Sequence, residues 1–361
     1  MPTKKPKAAK TRKDIFPTSY PVPVVLFDKL TVGRLTLKNR IVFPPMATAR
    51  ATPDGAINER HLAKYTALAR GGTGLVIFEH TYVEPRGRFR PVQPGIHDDS
   101  LIPGLRRLTG EVHRAGAAIG IQLGHVGAMA SPLIIGEKAV APSDVRPPVW
   151  SAPFPQFSEW EAPRALRRDE LSGIVTLFAR AAERAVEAGF DTVEIHAAHG
   201  YLLSQFLSPL TNHRDDEYGG SLANRFRLAR EILVATRSRL PKGMPILIRL
   251  GADDLLSGGL SLEDSIEATP GLLAAGADVI DVSSGMGGWG EGLQEQGFFV
   301  PLARAIREAT GAVVIGVGNI SDPAYANELV RQGQVDLVAV GRAMLKDTGW
   351  ANKAAGALSR Q

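Results

Sequence analysis

Two histidines and a tyrosine fall in one short segment, Glu194-Ile195-His196-Ala197-Ala198-His199-Gly200-Tyr201. Imidazoles three residues apart can both donate to a single carbonyl oxygen, and a phenol close by can deliver a proton. A His-x-x-His pair could also grip a metal ion, but no third ligand stands at a suitable spacing, so no metal site is expected. A purely structural role for both imidazoles is the plain alternative. The chain has no cysteine, which excludes disulfides, cysteine-ligated iron–sulfur clusters, thiolate zinc sites and cysteine nucleophiles together. Redox chemistry here must come from a bound organic cofactor.

Glycines free backbone N–H groups in Gly316-Val317-Gly318-Asn319 and beside a cation in Gly341-Arg342. Such amides, with the positive end of a following helix and an arginine, form an anion site, and a phosphate-bearing ligand is expected. Simple tight turns at Gly318 and Gly341 are the alternative, which leaves Arg342 unexplained. Arg249 lies inside the apolar run Ile246-Leu247-Ile248-Arg249-Leu250, where a buried guanidinium needs an anionic or strongly polar partner. A salt bridge to Asp253 or Asp254 is the local solution, and the anionic ring of a bound ligand is the functional one. Gln122 carries an amide that both donates and accepts, which suits the mixed edge of such a ring; a surface role is its plain alternative.

Each of these residues stands at or just beyond the end of an apolar, β-branched run. Seven runs directly follow a small glycine-containing turn: Leu75–Phe78, Ile119–Leu123, Thr192–His196, Ile246–Leu250, Val279–Val282, Val313–Val317 and Val335–Val340. An eighth, Ile41–Phe43, stands in front of them and ends at Pro44-Pro45. Between runs the period becomes helical, as in Leu171, Ile174, Val175, Phe178, Ala182, Ala185 and Val186. Nearly continuous apolar strands read as covered on both faces. With no composition shift separating two halves, the repeat predicts an α/β fold, a (β/α)8 TIM barrel whose polar strand ends converge on one mouth. A doubly wound sheet is the alternative. From Ser131 to about Arg168 the chain is rich in Pro and aromatics, including Trp150, Phe154, Phe157 and Trp160. That stretch reads as a lid or hairpin over the site, or else a structural excursion.

The formal charge is +5, but six cations, Lys4, Lys5, Lys7, Lys10, Arg12 and Lys13, sit at the very front; without them 36 basic residues face 37 acidic ones. Residues 1–22 are expected to form a disordered basic extension and 23–361 a single barrel domain. No nucleic-acid partner is expected. No apolar run approaches the roughly 20 residues of a membrane span, and the N-terminus lacks a secretory apolar stretch, so the expectation is a soluble, cytoplasmic protein.

Several motifs taken together resemble the Old Yellow Enzyme family of FMN-dependent ene-reductases. They are Pro44-Pro45-Met46, Gln122 in Ile-Gln-Leu-Gly-His, the trio His196, His199 and Tyr201, the segment from Ser208-Pro209-Leu210 through Tyr218-Gly219-Gly220-Ser221 with Asn224-Arg225, Arg249, and Gly341-Arg342. The similarity runs from about Leu26 to Ala355 and is strongest to the thermophilic-like, or YqjM-like, branch. It implies that backbone around Pro45, Met46 and Ala47, with Gln122 and Arg249, holds the flavin ring, negative on its pyrimidine when reduced. Ser284, Gly318, Asn319, Gly341 and Arg342 would line the ribityl phosphate. His196 and His199 would bind the carbonyl or nitro oxygen of an electron-poor alkene, and Tyr201 would protonate its α-carbon after hydride transfer to the β-carbon. NAD(P)H would reduce the FMN first in the same pocket, in a ping-pong cycle.

Departures from the family pattern are Ala47, where relatives often carry Cys or Thr, Ala49, where the YqjM-like branch has Tyr, and His80, where a small residue beside the flavin is usual. The C-terminal arginine that some relatives lend to a neighbouring subunit has no clear counterpart, and a dimer or tetramer is the expected assembly. A dienoyl-CoA-type or other metabolic double-bond oxidoreductase on the same scaffold is the near alternative; its long versions carry an iron–sulfur site, which a cysteine-free chain is not expected to have. A non-redox phosphate-binding barrel lyase or isomerase is the distant one.

Overall fold

Eight short apolar strands pair in parallel and close on themselves in the computed structural model, which describes residues 25–148, 161–288 and 293–359. In chain order the elements begin with β1 (Leu30–Val32), β2 (Leu35–Leu37), β3 (Ile41–Phe43), α1 (Glu59–Arg70), β4 (Leu75–Tyr82), α2 (Ile102–Arg114) and β5 (Ala118–Gly124). They continue with α3 (Pro132–Ile135), β6 (Val140–Ala141), β7 (Arg164–Ala165), α4 (Arg168–Glu187), β8 (Thr192–Ala197), α5 (Leu202–Leu207), α6 (Leu222–Arg225), α7 (Arg227–Arg239) and β9 (Ile246–Gly251). The last third adds α8 (Leu262–Ala274), β10 (Val279–Ser283), α9 (Val300–Thr310), β11 (Val313–Gly316), α10 (Pro323–Arg331), β12 (Leu337–Ala339), α11 (Arg342–Lys346) and α12 (Trp350–Leu358).

The ring runs β10-β11-β12-β3-β4-β5-β8-β9 and closes where β9 pairs with β10. Closure removes both sheet edges and sets the doubly wound alternative aside. All eight expected strands are present. The second extends to Tyr82 instead of stopping at Phe78, and the last is shorter than expected, Leu337–Ala339. Helices pack outside through the stripes their sequences carry: α4 buries Leu171, Ile174, Phe178, Ala182 and Ala185. Full burial of a side chain such as Phe178 contributes roughly 1.5–3 kcal/mol.

One feature went unread in the sequence. Strands β1 and β2 form an antiparallel ribbon beneath the barrel, and Leu37 packs in the interior with Val42, Leu75, Ile77, Leu247, Val279, Ile315 and Leu337. Its turn at Gly33 has φ +56°, and a Cβ there would lie 2.2 Å from the Gly243 carbonyl oxygen. Only glycine tolerates that approach, and the amide of Arg34 donates to the same oxygen at 2.7 Å.

The excursion after β5 is not a hairpin where it is described. Its two ends, β6 and β7, run parallel, and Arg214 ties them by donating through Nη1 to the carbonyls of Pro142 and Leu166. The expected lid aromatics Trp150, Phe154, Phe157 and Trp160, and the basic segment 1–22, lie outside the described residues.

Candidate active site

A cavity of about 480 Å³ opens at the C-terminal ends of the barrel strands. Pro44, Pro45, Met46 and Ala47 follow β3, His80 comes from β4, Gln122 from β5, His196 from β8 and Arg249 from β9. Val317, Gly318, Asn319 and Ile320 follow β11, and Gly341 and Arg342 follow β12. The barrel thus gathers nearly all the residues singled out from the sequence. Phe89 and Arg90, after β4, and Phe298 and Phe299, before α9, complete the walls. Among the described residues, none of the lining comes from the excursion after β5.

His196, His199 and Tyr201 stand together on one side. The ring centroids of His196 lie 5.1 Å from His199 and 4.9 Å from Tyr201. Burial, and then the neighbouring imidazole and Arg249 charges, hold His196 far below its usual pKa, so the ring is neutral. Its Nδ1 accepts the Ala198 amide at 3.2 Å, which leaves the proton on Nε2 as a donor. His199 is likewise depressed, first by burial; its Nε2 is pinned 2.7 Å from the Ser283 hydroxyl. Its backbone sits at φ +59°, a strained conformation for a non-glycine residue. Burial pushes the Tyr201 phenol well up, so it keeps its proton, and its hydroxyl makes no hydrogen bond among the described residues.

The floor is a polar layer. Gln122 donates through Nε2 to Glu194 Oε2 at 2.6 Å, and Arg249 Nη1 lies 3.2 Å from Asp281 Oδ2. Gln122 is therefore buried, not at the surface, and Arg249 pairs with neither Asp253 nor Asp254. Strand register explains the partner: Arg249 on β9 stands directly opposite Asp281 on β10. Arg249 Nε has no hydrogen-bond partner among the described residues.

The rim loop after β3 is anchored from below. Glu79 on β4 accepts the Thr48 amide at 2.5 Å, the Thr48 hydroxyl at 3.0 Å and the Tyr65 hydroxyl at 3.1 Å. Lys64 donates to the Met46 carbonyl at 3.1 Å. These bonds hold Ala47 beside the cavity and Ala49 at φ +52°.

His80 does line the cavity. Its Nδ1 lies 3.2 Å from Gln93 Nε2; because Gln93 Oε1 already accepts the Phe89 and Arg90 amides, that nitrogen donates and Nδ1 accepts. The ring stacks on Tyr201 at 5.0 Å, and burial lowers its pKa to about 3.

The chain matches the NADH:flavin oxidoreductase / NADH oxidase family over residues 25–361. It belongs to that family. Over 338 residues it is 39% identical to the NADPH dehydrogenase of Bacillus subtilis, covering 93% of this chain and 96% of that one. It is also 39% identical to the NADH oxidase of Thermoanaerobacter brockii over 91% of its own length, but spans only 50% of that longer protein. Its structure resembles the old yellow enzyme homologue of Zymomonas mobilis, with a TM-score of 0.79, 29% identity, and coverage of 92% of this chain and 93% of the other. The family assignment makes the chain an NAD(P)H-dependent flavin oxidoreductase with FMN as cofactor.

The residues present fit that group. Backbone is carved close on both sides of the cavity: a Cβ on Gly341 would come within 3.2 Å of Met46 Sδ and Pro44 Cγ, and one on Gly318 within 2.7 Å of the Phe298 amide nitrogen. Gln122 offers a mixed hydrogen-bonding edge and Arg249 an unused N–H. Two expectations need correction. The Ser284 side chain does not line the cavity; its hydroxyl donates to the Gly288 carbonyl, and Ser283 takes the wall position. Strand alternation explains this, since Val279, Asp281 and Ser283 share the inward face of β10. The helix ends expected to aid anion binding are also weak here. Asp322 already caps α10 with its own carboxylate, and α11 is a five-residue helix, which leaves the glycine-freed amides and Arg342 as the groups able to receive an anion.

Proposed function

We propose that this chain reduces the activated carbon–carbon double bonds of α,β-unsaturated carbonyl or nitro compounds. The observation that carries the reading is the neutral, donor-competent His196 with His199 beside it and a protonated Tyr201 in the same cavity. Imidazole N–H groups that donate to the carbonyl or nitro oxygen withdraw electron density from the conjugated alkene, and a buried phenol beside them can give its proton to the α-carbon. Bound FMN supplies the hydride, having received it from the nicotinamide. On this reading Pro45, Met46, Ala47, Gln122 and Arg249 hold the ring, Gly318, Asn319, Gly341 and Arg342 the phosphate, and His80 shapes the wall beside Tyr201.

The test is stepwise. The purified protein is reduced anaerobically with NADH and with NADPH, then reoxidised with enones, enals, maleimides and nitroalkenes. Rapid reoxidation by at least one of these classes supports the reading. A flavin that bleaches with nicotinamide but ignores every alkene, while oxygen or a quinone reoxidises it, overturns it.

A further inference from the structure

Glu194 and Asp281 take no part in the chemistry above, yet both carboxyls are fully buried in the barrel directly under the cavity. Below them the interior is apolar, with Leu247 and Val279 in the next layer. Beside them stands one permanent cation, Arg249, and above them the imidazoles of His196 and His199 are neutral. Were both carboxyls ionised, Glu194 Oε1 and Asp281 Oδ1 would have no hydrogen-bond donor among the described residues and Asp281 Oδ2 only the ion-pair contact with Arg249, and the layer would hold a net negative charge out of reach of water. Buried charge of that kind is removed by protonation.

We propose that Glu194 and Asp281 share a single proton, which resides on Glu194 and is donated to Asp281. The two side chains are buried in one layer with Arg249, interact with each other, and both carry oxygens without a hydrogen-bond partner among the described residues. One proton placed between them supplies both Glu194 Oε1 and an Asp281 oxygen, while Glu194 Oε2 continues to accept from Gln122 and Asp281 remains ionised against Arg249. The four groups then form an electrically neutral chain, Gln122–Glu194–Asp281–Arg249, carried by four consecutive strands of the ring, β5, β8, β9 and β10. Glu194 and Asp281 are positioning residues: they fix the amide and the guanidinium that face the cavity, and they set the charge beneath it.

The flavin arm of the test rests on the FMN reading; the infrared arm does not. In the flavin-free protein at neutral pH, the infrared spectrum should contain a protonated-carboxyl band that shifts in D2O and disappears in Glu194→Gln. In the FMN-loaded protein, Glu194→Gln replaces one neutral donor by another and should leave the flavin midpoint potential and FMN affinity near wild type. Asp281→Asn removes a true charge and leaves Arg249 uncompensated. It should favour reduced over oxidised flavin at least tenfold, about 30 mV for a two-electron couple. Equal upward shifts in both variants, or the absence of a band lost in Glu194→Gln, would mean two ionised carboxylates and would overturn the proposal. If Asp281→Asn fails to fold, the wild-type and Glu194→Gln spectra decide it alone. A protein that takes up no FMN refutes the cofactor reading while leaving the infrared result standing.

Discussion

His80 fills the space in which Gly124 would carry a side chain: a Cβ added at Gly124 would lie 2.1 Å from His80 Nε2. The two residues come from neighbouring strands, β4 and β5, and are complementary in size. Gly124→Ala should therefore destabilise the protein by roughly 1–3 kcal/mol as the imidazole is driven off its stacked position on Tyr201. Adding His80→Ala should recover most of that loss. Urea unfolding of the two single variants and the double variant measures the coupling, and additive effects would show the contact to be loose.

The same imidazole has a pH signature. Its folded pKa of about 3 lies below its ordinary 6.5, so its stabilising contribution is fully present above pH 6.5 and drains away as pH falls toward 3. Between pH 7 and pH 5 the loss from this one group is about 2 kcal/mol. His80→Asn should lose less stability over that interval than the parent protein, a difference readable from paired unfolding curves at the two pH values.

Tyr201 gives the sharpest kinetic test. Tyr201→Phe keeps the ring packing against His80 and His196 but removes the proton. Stopped-flow measurement should find alkene reoxidation slowed on the order of 100-fold, with nicotinamide reduction nearly unchanged. Equal slowing of both half-reactions would remove the proton-donor role.

Glu79 supports the rim loop without touching the cavity. Glu79→Gln exchanges one acceptor oxygen for an amide that meets a donor, at a cost of about 1–3 kcal/mol. Thermal melts should fall in the flavin-free protein, and FMN should bind more weakly because the loop that carries Met46 and Ala47 is loosened at Thr48. Unaltered FMN affinity would show the loop to be held by other contacts.

What could be read ahead of the structure was what local pattern encodes. Apolar runs mark all eight strands, seven of them directly after glycine turns, and strand-end position marks Gln122, His196, Arg249 and Gly341. The misses are non-local. Local spacing points Arg249 to Asp253 or Asp254, four and five positions away, whereas strand pairing brings its partner from Asp281. Glu194 stands beside His196 in a run with no local signal of its role, which appears only when β5 sets Gln122 across from it. Ser283 was within reach, because inward residues alternate along a strand and Ser284 has the wrong parity. The β1–β2 ribbon left little trace, since its strands are three residues each and part-exposed.

That ribbon has a consequence for traffic. Leu37 stoppers the column of side chains that fills the barrel, so the doorway to the cavity lies at the opposite, C-terminal end of the strands. Two reactants sharing one doorway crowd each other out, so an excess of either should slow turnover by lodging in the wrong half of the cycle.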